Sequence, residues 1–186
     1  MNSKKILITG TGRSGTTFLV KLFTFLGYDT GFNKNDYINY ISKKSNSGLE
    51  TYIYDKFYIL KNPSFIRDIE SILNEYKEQI KHVIIPIRNY KDSAKSRESN
   101  GYENGGWWDA HTVEEQETFY YKLIAKYVYY MTKFDINTTF LDFDRMTTDK
   151  HYLYEKLKSI FDERNISFEM YSQAYEEASA TSKPKI

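Results

Sequence analysis

At 186 residues the chain is long enough for one compact domain with a real core and too short for two comfortable ones. Its 26 Lys and Arg against 25 Asp and Glu leave a net charge of +1, which excludes a whole-chain field drawing it to nucleic acid or an anionic membrane, so any anion site must be local. There is no cysteine, which excludes disulfides, thiolate metal sites and cysteine nucleophiles.

Lys5 to Thr9 (K-I-L-I-T) predicts a short buried strand, Gly10 to Gly15 a glycine-rich turn, and Thr16 to Leu26 a helix stopped by Gly27. Tyr28 to Glu50 is polar and long, and reads as a surface excursion with a helical turn around Asp36 to Lys43. Thr51 to Leu60 leads into a second strand ending near Leu60. Pro63 and Ser64 then open a helix with apolar positions Phe65, Ile66, Ile69, Ile72, Leu73 and Tyr76. A strand is expected over His82 to Ile87, with Pro86 an awkward member because it cannot donate to a ladder. A short helix over Asp92 to Glu98 and a loop over Asn100 to Gly106 follow. Thr112 begins a long helix with a capping-box pattern, running to about Phe134. A last strand, Thr138 to Phe143, precedes helices over Asp149 to Glu163 and Ser167 to Ser179. Strands alternating with helices imply a single-domain α/β fold, a parallel sheet covered on both faces in a three-layer sandwich.

The N-terminus runs straight into a short strand without a secretory pattern, and no stretch approaches the roughly 18 apolar residues of a membrane span. A cytoplasmic protein is the expectation.

Gly10-Thr11-Gly12-Arg13-Ser14-Gly15-Thr16-Thr17 lies between a strand and a helix, where free N–H groups and the helix dipole make an anion site and glycines allow close approach. The plain alternative is a turn that only reverses the chain. As G-x-G-x-x-G the segment fits a dinucleotide fingerprint, but the helix leaves no room for a second strand before Asp29. As G-x-x-x-x-G-K-[ST] it fits a triphosphatase except that Thr16 stands where the lysine belongs. A third reading uses Arg13, which can reach an anion cradled by Ser14, Gly15, Thr16 and Thr17.

In that third reading Arg13 to Thr17 resembles the phosphosulfate-binding loop of sulfotransferases that use 3′-phosphoadenosine 5′-phosphosulfate (PAPS), where K/R-S-G-T-T follows the first strand. A second segment, Arg88-Asn89-Tyr90-Lys91-Asp92-Ser93-Ala94-Lys95-Ser96, resembles the same family's 3′-phosphate segment, with an arginine and a serine eight positions apart. An arginine at a strand end offers a charged donor fork; the plain alternative is a solvated charged face. Lys61-Asn62-Pro63-Ser64-Phe65 is similar to the K-[S/T/D]-P-x-[Y/F] segment of Golgi-type and bacterial members, and Phe140 to Met146 to a late strand segment of bacterial ones. The late R-K-G-x-x-G motif of the cytosolic aryl branch is missing. The resemblance implies PAPS as donor, adenosine 3′,5′-bisphosphate as product, no metal, and a small-molecule or carbohydrate acceptor. Gly12, Arg13, Ser14, Gly15, Thr16, Thr17, Arg88 and Ser96 would bind the nucleotide, with Lys61 and Arg13 near the sulfuryl group. A general base is also expected, with Asp36, placed after the first helix as in Golgi-type members, preferred slightly over Glu50, and His111 with Asp109 as a weaker pair. Trp107 and Trp108 either stack on an acceptor or clamp their loop to the core. The rival classes are a P-loop small-molecule kinase with a degenerate loop and a non-catalytic nucleotide-binding relative.

Overall fold

A computed structural model describes residues 4–42, 45–100 and 106–180. It contains strands β1 (Lys5–Ile8), β2 (Ile59–Lys61), β3 (Ile80–Ile87) and β4 (Thr138–Asp142). The helices are α1 (Thr16–Phe25), α2 (Ile69–Tyr76), α3 (Tyr90–Asn100), α4 (Val113–Lys133), α5 (Phe143–Thr148), α6 (Lys150–Asp162) and α7 (Phe168–Ala180). The four strands form one all-parallel sheet in the order β2-β1-β3-β4. Its faces are covered separately: Ile6, Ile8, Ile84 and Leu141 pack with α1, α6 and α7, while Leu7, Val83 and Ile85 pack with α2, α3 and α4. Period-2 alternation of an unbroken apolar strand thus feeds two cores, the expected α/β three-layer arrangement.

Strand order decides where a ligand crevice opens. From β1 the chain passes through α1 on one face to β2; it then crosses α2 on the other face to reach β3 on the opposite side of β1. The loops after β1 and β3 leave toward opposite faces, which opens a crevice at their carboxyl ends.

Pro86 is accommodated by register. Val83 donates its N–H to Asn137 O, so odd-numbered residues of β3 face β4, and Ile84 O accepts from Thr9 N on the β1 side. Pro86 therefore turns its missing N–H toward β1, whose pairing has already ended at Ile8 opposite Ile84, while β3 stays paired with β4 to Ile87.

Helix ends follow local chemistry. Gly27, with φ 75°, closes α1: its N–H bonds Thr24 O and that of Tyr28 bonds Phe23 O. Thr112 caps α4 by accepting from Glu115 N, but the Glu115 carboxylate reaches His111 N rather than the cap's own N–H, so the capping box is offset by one residue.

Three expectations are corrected. The helix expected from Pro63 is split: Asn62 Oδ1 accepts from Ser64 N and winds Pro63–Ile66 into a 3₁₀ turn before α2 starts at Ile69. The last strand stops at Asp142, whose side chain accepts from Arg145 N and begins α5, a helix the sequence reading did not anticipate. The Tyr28 to Glu50 excursion is no surface loop throughout, since Tyr28, Tyr37 and Leu49 join the core; its helical turn is a 3₁₀ segment, Tyr37–Tyr40. Lys43, with which that turn was expected to end, and 101–105 of the expected Asn100 to Gly106 loop lie outside the described residues. No described helix is long and apolar enough to cross a membrane.

Candidate functional site

A cleft of about 540 Å³ opens at the crevice between β1 and β3. Of the residues singled out from sequence, Gly12, Arg13, Gly15, Thr16 and Thr17 line it from the glycine turn, and Glu50, Lys61 and Arg88 from three other segments.

The turn takes its shape from positive φ angles at Gly12 (74°), Arg13 (58°) and Gly15 (86°). An arginine held in the left-handed region is uncommon and costs on the order of 1 kcal/mol or more, the kind of local strain that gathers at functional turns. Gly15 stands at the N-terminus of α1 with no side-chain cap, so the first-turn N–H groups have only the loop above them. The φ of 86° disfavours any other residue at Gly15, and a Cβ there would also crowd Phe143 at 3.0 Å and push the Met146 methyl aside. Ser14 Oγ is buried without a hydrogen-bond partner.

The segment after β3 comes back onto this turn. Arg88 stacks over Phe143 at 4.9 Å and donates from Nη1 to the Arg13 carbonyl at 3.3 Å. Arg13 in turn donates from Nε to Ser96 Oγ at 3.1 Å and from Nη1 to Ser45 O at 2.7 Å. The Arg13 guanidinium is held below the ordinary arginine range, first by burial and then by the nearby charges of Arg97 and Arg88. Three guanidinium groups crowded at one helix N-terminus make an electropositive pocket that an anion would relieve. Ser14 and Ser96 stand behind this surface and are not among the residues lining the cleft.

On the β2 side, Lys61 is enclosed, its side chain 1% exposed, and its Nζ donates to Glu50 Oε1 at 2.5 Å, Gly48 O at 2.8 Å and Thr17 Oγ1 at 3.4 Å. Burial pushes the Lys61 pKa down, opposed by Glu50, whose carboxylate is 44% exposed toward the cleft. Gly48 is pressed against the Tyr40 carbonyl, and the Ile41 to Gly48 bridge holds the 45–50 segment over the cleft.

Asp36 is not brought to the site. It accepts from Asn33 Nδ2 beside Tyr37, and Tyr37 packs on Phe25 at the far end of α1, a helix about 15 Å long at roughly 1.5 Å per residue. Asp109 is paired with Arg67 at 2.8 Å, and neither Asp109 nor His111 lines the cleft. Trp108 does line it, clamped by bonds between its backbone and the Gln116 side chain, while Trp107 does not. Among the described residues no group of three or more His, Asp or Glu side chains is arranged to hold a metal ion.

Sequence reasoning missed two charged cleft residues, Arg97 and Lys21. Arg97 falls one position past the Arg88 to Ser96 segment and is not singled out by it, yet Ser93, Ala94 and Arg97 form the buried stripe of α3; small residues three and four positions before an arginine were the available signal. Lys21 sits inside the apolar α1 run, 3% exposed, and burial lowers its pKa from 10.5 to about 8. Because its folded pKa lies below the unfolded one, the unfolded chain binds more protons between these values, and stability should rise with pH across that window. In thermal melts from pH 7 to 10.5 the wild type is expected to gain on Lys21→Met as pH passes about 8. A constant gap would contradict the lowered pKa.

The arrangement can grip one anion at the helix N-terminus and a second through the strand-end arginine, with a carboxylate and an enclosed ammonium beside them. No protein-family model, curated protein or solved structure matches this chain.

Proposed function

We propose that the cleft binds PAPS and that the protein is a sulfotransferase, moving a sulfuryl group to a hydroxyl or amine of a small-molecule or carbohydrate acceptor. The observation that carries this reading is the brace between the two anion-binding segments: Arg88 bonds the Arg13 backbone while the Arg13 side chain bonds Ser96. A nucleotide phosphorylated at both ends matches two such grips, and ATP has no 3′-phosphate. The uncapped N-terminus of α1 also suits a phosphate at the turn.

The bound donor supplies a sulfuryl group activated by its phosphate leaving group. Glu50 takes the acceptor's proton as the acceptor oxygen or nitrogen bonds to sulfur and the bond from sulfur to the phosphate oxygen breaks. Arg13, Lys61 and the N–H groups of the turn stabilise the charge gathering on the departing and equatorial oxygens. Lys61 also keeps Glu50 oriented through the 2.5 Å ion pair.

Calorimetry tests the reading. Adenosine 3′,5′-bisphosphate is expected to bind without metal, and ATP with magnesium is not. The reverse result would indicate a kinase with threonine at the lysine position. Bisphosphate binding without transfer of labelled sulfate from PAPS to any of a panel of glycans, phenols and amines would indicate a nucleotide-binding protein without catalysis.

A further inference from the structure

Arg97 is an enclosed cation, 3% exposed, and the reaction above makes no use of it. Its guanidinium joins three separate parts of the chain: Nη2 donates to Thr11 O at 3.0 Å, Nη1 to Gly106 O at 2.9 Å and Nε to the Tyr120 hydroxyl at 2.5 Å. Trp108 covers its plane at 3.9 Å. The glycine turn rests directly on it, since a Cβ on Gly12 would lie 2.4 Å from Arg97 Nη2.

We propose that Arg97 is a positioning residue for the phosphate turn, setting the grip on the 5′ end of the nucleotide without touching the grip on its 3′ end. The inference rests on the nucleotide reading of the cleft. A trans peptide holds its C=O and N–H on opposite sides, and no cis bond occurs among the described residues. Drawing the Thr11 carbonyl onto Arg97 therefore turns the Gly12 N–H the other way and holds it there. The contact also explains Gly12: its φ of 74° and the bare approach to the guanidinium both exclude a side chain. A lysine carries the same charge but offers a single point donor and cannot bridge three partners in one plane. Arg88 and Ser96 meet the turn at Arg13 instead, so Arg97 holds it at a different residue.

The test measures adenosine 5′-monophosphate, adenosine 3′-monophosphate and adenosine 3′,5′-bisphosphate on wild type, Arg97→Lys, Tyr120→Phe and Arg88→Ala by calorimetry. Tyr120→Phe keeps the Arg97 charge and removes only its hydroxyl support, so it serves if Arg97→Lys fails to fold. Arg97→Lys and Tyr120→Phe are expected to weaken the two ligands bearing a 5′-phosphate by about tenfold, the size of one charge-assisted hydrogen bond, and to leave the 3′-monophosphate unchanged. Arg88→Ala is expected to show the opposite preference. Equal losses for all three ligands, or no loss for any, overturn the positioning role alone. A wild type that binds none of the three overturns the nucleotide reading and this inference with it.

Discussion

Replacing Arg88 with alanine is expected to weaken adenosine 3′,5′-bisphosphate binding by about 2–5 kcal/mol, the loss typical of truncating one partner of a desolvated charge pair. Arg88 is half-buried, stacked over Phe143 and tied to the Arg13 carbonyl, so its fork is already oriented before a ligand arrives. A preset cation loses little freedom on binding, and its removal leaves a phosphate facing Phe143 without its nearest oriented fork. Calorimetry on the folded variant reads the loss. An affinity equal to that of the wild type would mean that the arginine after β3 holds no phosphate, and the sulfotransferase reading would fall with it.

Glu50→Gln is expected to lower kcat for sulfate transfer by about 10²- to 10⁴-fold while leaving bisphosphate affinity close to wild type, since a general base acts on the acceptor's proton and not on the nucleotide. The amide still accepts a hydrogen bond from Lys61, so the enclosed ammonium keeps a partner and the fold is spared. Asp36→Asn, at the other end of α1, is expected to change neither quantity. Steady-state rates with PAPS and a competent acceptor decide between them. If Glu50→Gln keeps full turnover, the carboxylate only pairs with Lys61 and the base lies elsewhere.

Where neighbouring residues determine an element, the sequence was readable. The K-I-L-I strand, the glycine turn, and the end of α1 at Gly27 each follow from backbone freedom and apolar runs within a few positions. Elements decided by distant contacts were not. Phe143 extends an apolar strand pattern, and only the capping bond from Arg145 N to Asp142 shows that a helix has begun. Asp36 and Glu50 both follow α1 as acidic residues in a polar stretch, and the preference for Asp36, drawn from its place just after the helix, is overturned because Glu50 and not Asp36 lines the cleft. The chain's return from Ile41 to Gly48 brings Glu50 to Lys61, leaving Asp36 beside Tyr37. Arg97 was hard to read for a related reason: small residues three and four positions earlier hint at a buried stripe, but its partners, Thr11 and Tyr120, lie far along the chain.

Pro86 has a role beyond being tolerated. The next rung of a parallel ladder after Thr9 N to Ile84 O would run from residue 86 to the Thr9 carbonyl, and proline has no hydrogen to offer it. The imino ring therefore acts as a register stop: the first strand must quit the sheet at that height, and Gly10, whose absent side chain would sit 3.4 Å from Pro86 O, is where it departs. An amino acid with an N–H at position 86 would let the ladder zip one step further and drag the origin of the anion-gripping turn downward, so a residue in the middle strand governs where the neighbouring strand lets go.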